Sequence, residues 1–89
     1  MLRREITIVN KLGLHARAAA KFVTLASRFE SEVRLARGSR EVNGKSIMGV
    51  MMLAAAKGAV LELTVDGADE GEAAVAIEQL VRERFGESE

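Results

Sequence analysis

Residues 2–29, LRREITIVNKLGLHARAAAKFVTLASRF, change their hydrophobic period once, and that change decides the fold. Ile6 and Ile8 alternate with Glu5 and Thr7, and Leu2 and Arg4 keep the step, the two-residue repeat of a half-buried strand running to about Val9. Asn10, Lys11 and Gly13 break it. From Ala16 to about Arg28 the residues are strong helix formers, with Ala19, Phe22, Ala26 and Phe29 recurring on one face. His15, the one histidine of the chain, therefore stands where a loop meets a helix N-terminus.

Downstream, Val33 and Leu35 alternate with Glu32, Arg34 and Arg37, Gly38-Ser39 supplies a two-residue turn, and Arg40 to Asn43 resumes the alternation around Val42, which predicts a hairpin. After Asn43-Gly44, the apolar, Met-rich segment from Ser46 to Leu53 predicts a short helix capped by Ser46, with Met52 and Leu53 on its core side. Leu61, Leu63 and Val65 predict a fourth strand ending at Asp66-Gly67. Asp69 with Glu72 reads as an N-cap signature, and Ala73, Ile77, Leu80 and Val81 form the stripe of a third helix ending near Gly86. Its acidic start and its Arg82 and Arg84 suit the helix dipole. The order β-α-β-β-α-β-α predicts an α+β two-layer, open-faced sandwich, a four-stranded antiparallel sheet covered on one face by three helices and formed by residues 1–89 as a single domain.

Composition narrows the function. The 13 basic and 13 acidic residues cancel and no run of like charge appears, which disfavours nucleic-acid and anionic-membrane binding. Three Phe and no Trp or Tyr leave few base-stacking platforms. Without cysteine there is no disulfide or thiolate chemistry, and with one histidine and no clustered carboxylates neither a metal nor another cofactor is expected. The start MLRREITIVN lacks the apolar stretch of a secretory signal, and no run nears the roughly 18 residues of a membrane span. A cytoplasmic protein is expected.

The chemistry concentrates in Gly13-Leu14-His15-Ala16-Arg17. Amides of a first helical turn lack intrahelical acceptors, and the helix dipole adds partial positive charge, so an anion beside His15 would be stabilised by donors such as the Ala16 backbone N–H. Arg17 adds a guanidinium able to hold phosphate oxygens through parallel hydrogen bonds. The same field disfavours imidazolium, which predicts a neutral, nucleophilic ring. No general base stands nearby in the sequence, an arrangement suited to holding a phosphoryl group rather than hydrolysing it.

Gly13-Leu14-His15-Ala16-Arg17, followed by Asn43-Gly44-Lys45-Ser46-Ile47-Met48-Gly49, resembles the HPr family, histidine-containing phosphocarriers of the bacterial phosphoenolpyruvate-dependent phosphotransferase system. The likeness implies that Enzyme I phosphorylates Nδ1 of His15, that Arg17 supports the phosphohistidine, and that a IIA protein or domain receives the group. It further implies a regulatory Ser46, the target of an HPr kinase/phosphorylase where one exists, and a docking patch at Ala20, Ile47, Met48 and Met51, with Met suiting a surface shared by several partners. The family pattern continues H-A-R-P, whereas this chain has Ala18. The related nitrogen branch, NPr, shares the histidine motif, so sugar uptake and nitrogen-related regulation both stay open.

Such a carrier is filed with transferases, though no independent turnover is expected of it, and a monomer suits partners that share one face. Gly44-Lys45-Ser46 does not complete a nucleotide P-loop, because that motif needs glycine at position 39, which is serine. The competing reading is a non-enzymatic regulatory or small-anion-binding module, which would form no covalent adduct on His15.

Overall fold

The computed structural model describes residues 1–89. Its elements are β1 (Leu2–Thr7), α1 (Ala16–Ala26), β2 (Glu32–Arg37), β3 (Arg40–Asn43), α2 (Ile47–Met52), β4 (Val60–Asp66) and α3 (Glu70–Arg82), followed by a single 3-10 turn at Arg84–Gly86. The four strands form one antiparallel sheet in the order β1-β4-β2-β3. This is the open-faced α+β sandwich that the alternating patterns predict.

Register explains which residues are inside. Ile6 stands opposite Leu61 on β4, while Val33 and Leu35 stand opposite Val65 and Leu63, so one face of the sheet is a continuous aliphatic surface. Ala19, Phe22 and Ala26 of α1 and Ala73, Ala74, Ile77 and Val81 of α3 close over it. Full burial of a side chain such as Phe22 contributes roughly 1.5–3 kcal/mol, and the cluster has 20 members, of which the six alanines each bury much less. The opposite face carries Arg34, whose Nε donates to Glu41 Oε1 at 3.0 Å and which also pairs with Glu32 at 3.6 Å.

Three local expectations are corrected. Met52 is 58% exposed; Val50 and Leu53 are the residues this region buries, because a six-residue helix packed on α1 and β3 has room for one narrow apolar face. Asp69 does not cap α3 with its side chain: its carboxylate accepts instead from the Glu30 and Ser31 amides and the Ser31 hydroxyl, in the turn before β2. The strand and helix ends also retreat, β1 to Thr7 and α1 to Ala26, although Ile8 remains buried and exchanges backbone bonds with Gly58 and Ala59.

Ser46 does cap α2, its Oγ accepting from the Gly49 amide at 3.1 Å. At the other end, Arg37 donates to the carbonyls of Leu53 and Ala54 and Arg40 to that of Met52, so the β2–β3 hairpin supplies partners for the carbonyls the short helix leaves open.

Candidate functional site

The loop between β1 and α1 is held by its neighbours at two points. Gly13 has φ +70°, and a Cβ there would approach the Ala55 carbonyl oxygen to 2.5 Å, so only glycine fits both the backbone twist and the space. The next residue, Leu14, is buried and donates its amide to that same carbonyl at 2.9 Å. Together these contacts fix the loop against the segment following α2 and present His15 as the N-cap residue of α1.

His15 does not cap the helix through its side chain. The first intrahelical bond runs from the Ala19 amide to the His15 carbonyl at 2.8 Å, so the Ala16 and Arg17 amides have no acceptor within the chain. Both residues are exposed, and Arg17 pairs with no carboxylate of the chain. The expected Ala16 amide, the Arg17 amide and the Arg17 guanidinium therefore stand beside one ring at the mouth of an open depression that Lys11, Leu12, Glu87 and Ser88 also line.

Glu87 was not legible from the sequence, and its carboxylate stands beside His15, where no general base was expected. Its Oε2 lies 2.5 Å from His15 Nε2, while Oε1 accepts from Asn10 Nδ2 at 3.0 Å. The His15 hydrogen bond, with the Asn10 amide adding to it, holds the Glu87 carboxyl below the usual range of a glutamate. Because the carboxylate occupies Nε2, the other ring nitrogen, Nδ1, is the one without a hydrogen bond to the chain.

Asn10 is fully buried, and its Nδ2 also donates to the Gly13 carbonyl at 2.8 Å. No sequence pattern marks it, since an asparagine after a strand is ordinarily a turn residue. For Glu87 the only local sign is Gly86, with φ +80°, which turns the chain just before it.

On α2, Ile47, Met48 and Met51 are 44%, 77% and 41% exposed, and Ala20 on α1 is half-buried. The apolar surface extends past the expected residues to Met52, and Leu12, 68% exposed, adds an apolar side chain beside His15. No three His, Cys, Asp or Glu side chains are grouped so as to hold a metal ion, and no helix is long and apolar enough to cross a membrane.

The family described as "PTS HPr component phosphorylation site" matches residues 2–83. The chain is 60% identical to the phosphocarrier protein HPr of Neisseria meningitidis serogroup A over 89 residues, the whole of both chains. It is 56% identical to that of Cupriavidus necator, again over the whole of both. Among solved structures, HPr-C-His from Thermoanaerobacter tengcongensis superposes with a TM-score of 0.96 at 45% identity, covering 100% of each chain. With the histidine loop, the glycine that shapes it and the sandwich beneath it all in place, the chain belongs to the HPr family of phosphocarriers of the phosphotransferase system.

Proposed function

We propose that His15 accepts a phosphoryl group on Nδ1 from phosphorylated Enzyme I and passes it to a IIA protein or domain. The observation that carries this reading is the division of labour on the ring: Glu87 takes Nε2, and Nδ1 is left unpaired beside the free amides of Ala16 and Arg17 and an unpaired guanidinium. In the acceptance step the Nδ1 lone pair forms a bond to phosphorus, and the bond from phosphorus to the donor breaks with its electrons going to the donor. The amides and Arg17 then hold the phosphoryl oxygens, with no step requiring a metal or cofactor.

The patch formed by Ala20, Ile47, Met48 and Met51 is the docking surface for both partners, used in turn by a monomer in the cytoplasm. Ser46 is a regulatory position: a phosphate there would keep negative charge at the start of α2, which suits the helix but repels an acidic partner. Sugar uptake and nitrogen-related regulation are both compatible with this chemistry.

The test is intact mass after incubation with phosphoenolpyruvate and Enzyme I, for wild type and His15→Ala. The reading requires a gain of one phosphoryl group in wild type, lost in mild acid and absent from the variant. No gain, with the same Enzyme I active on a control carrier, would leave a reversible anion-binding module.

A further inference from the structure

We propose that Glu87, aimed by Asn10, is a positioning residue that keeps a proton on His15 Nε2 and stays bonded to that N–H after phosphorylation, so that the C-terminal turn sets how readily the phosphohistidine gives up its group. The proposal rests on the carrier reading for its second half and on geometry alone for its first.

The contact is built rather than incidental. After α3 the chain passes through Arg84, Phe85 and Gly86 with φ of +58°, +55° and +80°. Two consecutive non-glycine residues in the left-handed region persist only where the surroundings over-determine them. Here they do: the Phe85 side chain is fully buried in the core, and its carbonyl accepts from Lys21 Nζ of α1 at 2.7 Å. A chain end is ordinarily mobile. This one is turned back and anchored one residue pair before Glu87, whose side chain is only 16% exposed.

Asn10 supplies the second support. Its Nδ2 serves two acceptors, the Gly13 carbonyl and Glu87 Oε1, which settles the orientation of the amide, since the flipped amide would set Oδ1 against both oxygens. The consequence is that Oδ1 is buried with no partner. An orphaned buried acceptor is unfavourable and uncommon, and here it accompanies the aiming of a donor at the Glu87 carboxylate.

The remaining charges do not compete for the ring. Lys21 of α1 is engaged with Phe85, Arg17 pairs with no carboxylate, and in the tail Glu89 lies on Lys11, with its carboxylate 3.7 Å from Nζ. Glu87 is the group that faces Nε2.

An ionised carboxylate can only accept a hydrogen bond, so the Glu87 contact selects the ring form with hydrogen on Nε2 and a lone pair on Nδ1. When Nδ1 bonds to phosphorus, that hydrogen stays in place and the ring becomes a phosphoimidazolium whose positive charge faces Glu87. When the next acceptor attacks phosphorus, the electrons of the N–P bond return to Nδ1 and the neutral Nε2–H ring is restored. No proton is exchanged with solvent in either step. Without the carboxylate, the phosphorylated ring would release the Nε2 proton more readily, leaving a neutral phosphoimidazole, a poorer leaving group.

The experiment compares wild type, Glu87→Gln, Glu87→Ala and a chain ending at Gly86. Nitrogen-15 NMR of the ring at pH 8.5, without phosphorylation, reports the tautomer, and the loss of label from phosphorylated protein at pH 7 reports lability. Expected is a nearly pure Nε2–H ring in wild type, a mixed population in Glu87→Ala and the truncated chain, and at least a fivefold longer phosphohistidine lifetime in all three variants. Glu87→Gln, which can still accept a hydrogen bond, separates charge from contact: it should retain much of the tautomer preference while gaining lifetime. Identical tautomer populations in wild type and Glu87→Ala would overturn the positioning role, and identical lifetimes would overturn the control of lability. Absence of any phosphorylation would instead remove the carrier reading while the tautomer result still decided what Glu87 does.

Discussion

The Ser31 hydroxyl donates to Asp69 Oδ1 across 2.5 Å, and the Ser31 and Glu30 amides complete the set on the same carboxylate, tying the turn before β2 to the start of α3 across 38 residues of chain. Ser31 is buried, so its two bonds are partly shielded from water, while the bond from the Glu30 amide is exposed. The Ser31 hydroxyl first, and then the Glu30 amide, hold the Asp69 carboxyl below its ordinary range. A carboxyl with a lowered folded value contributes stability above its unfolded pKa and loses it as pH falls through the folded value. Wild type should therefore lose urea midpoint on acidification from pH 5 toward pH 3 more steeply than Asp69→Asn, which has no carboxyl to protonate there. At pH 7, Ser31→Ala should cost about 1 kcal/mol.

Gly13 is the position at which fold and function are most tightly joined. Gly13→Ala meets two penalties, a left-handed φ and a Cβ forced against the Ala55 carbonyl, which is backbone and has little freedom to move. The expected loss is roughly 2–4 kcal/mol by chemical denaturation. Because Leu14 donates to the same carbonyl, the variant should also displace His15, and phosphoryl acceptance should fall by more than the folded fraction accounts for.

Ser46 caps α2 through one hydrogen bond, its Oγ accepting from the Gly49 amide, directly before Ile47 and Met48 of the proposed docking patch. Ser46→Ala should cost about 1 kcal/mol, read as faster hydrogen exchange of the α2 amides. Ser46→Asp keeps a capping oxygen, so its stability should match wild type within a few tenths of a kcal/mol. Its phosphoryl acceptance should nonetheless fall, since the charge stands beside Ile47 and Met48. Equal rates for Ser46→Asp and wild type would separate Ser46 from the docking surface.

The parts of this molecule that could be read in advance are those governed by near neighbours in sequence. The alternation through Ile6 and Ile8, the stripe through Ala19, Phe22 and Ala26, and the serine at the start of α2 each report a local period or cap, and each residue stands where its pattern placed it. The placement of His15 and Arg17 at the start of α1 was legible for the same reason, since they lie two residues apart at one helix terminus. Met52 was not, because every residue from Ile47 to Met52 except Gly49 is apolar and the face that is buried depends on α1. Glu87 reaches His15 across 72 residues, through a left-handed turn whose register depends on where Phe85 enters the core. No spacing in the chain encodes such a contact. Asp69 lies between these cases: an acidic residue before a helix is a cap by local rules, and the Glu30 and Ser31 donors override them from a distant turn.

Ala18 is the position where the chain departs from the family's usual proline, and its place in α1 says what the change should do. It lies in the first turn, fully buried, and its amide precedes the first intrahelical donor, Ala19, so proline would remove no helix hydrogen bond. Proline would restrict the unfolded chain, worth about 0.4–1 kcal/mol, against which stand the restriction it places on Arg17 and the ring atoms that must fit a closed site. Ala18→Pro is therefore expected to raise stability by less than about 1 kcal/mol. The phosphoryl group on His15 is held by the Ala16 and Arg17 amides in the proposed mechanism, so the initial rate of phosphorylation by Enzyme I should change by less than about twofold, a barrier difference below roughly 0.5 kcal/mol. Denaturation midpoints and initial rates measured on the same preparation decide the matter. A large rate loss with unchanged stability would mean that the Ala18 amide is itself a phosphate donor, a role that a proline at this position could not fill.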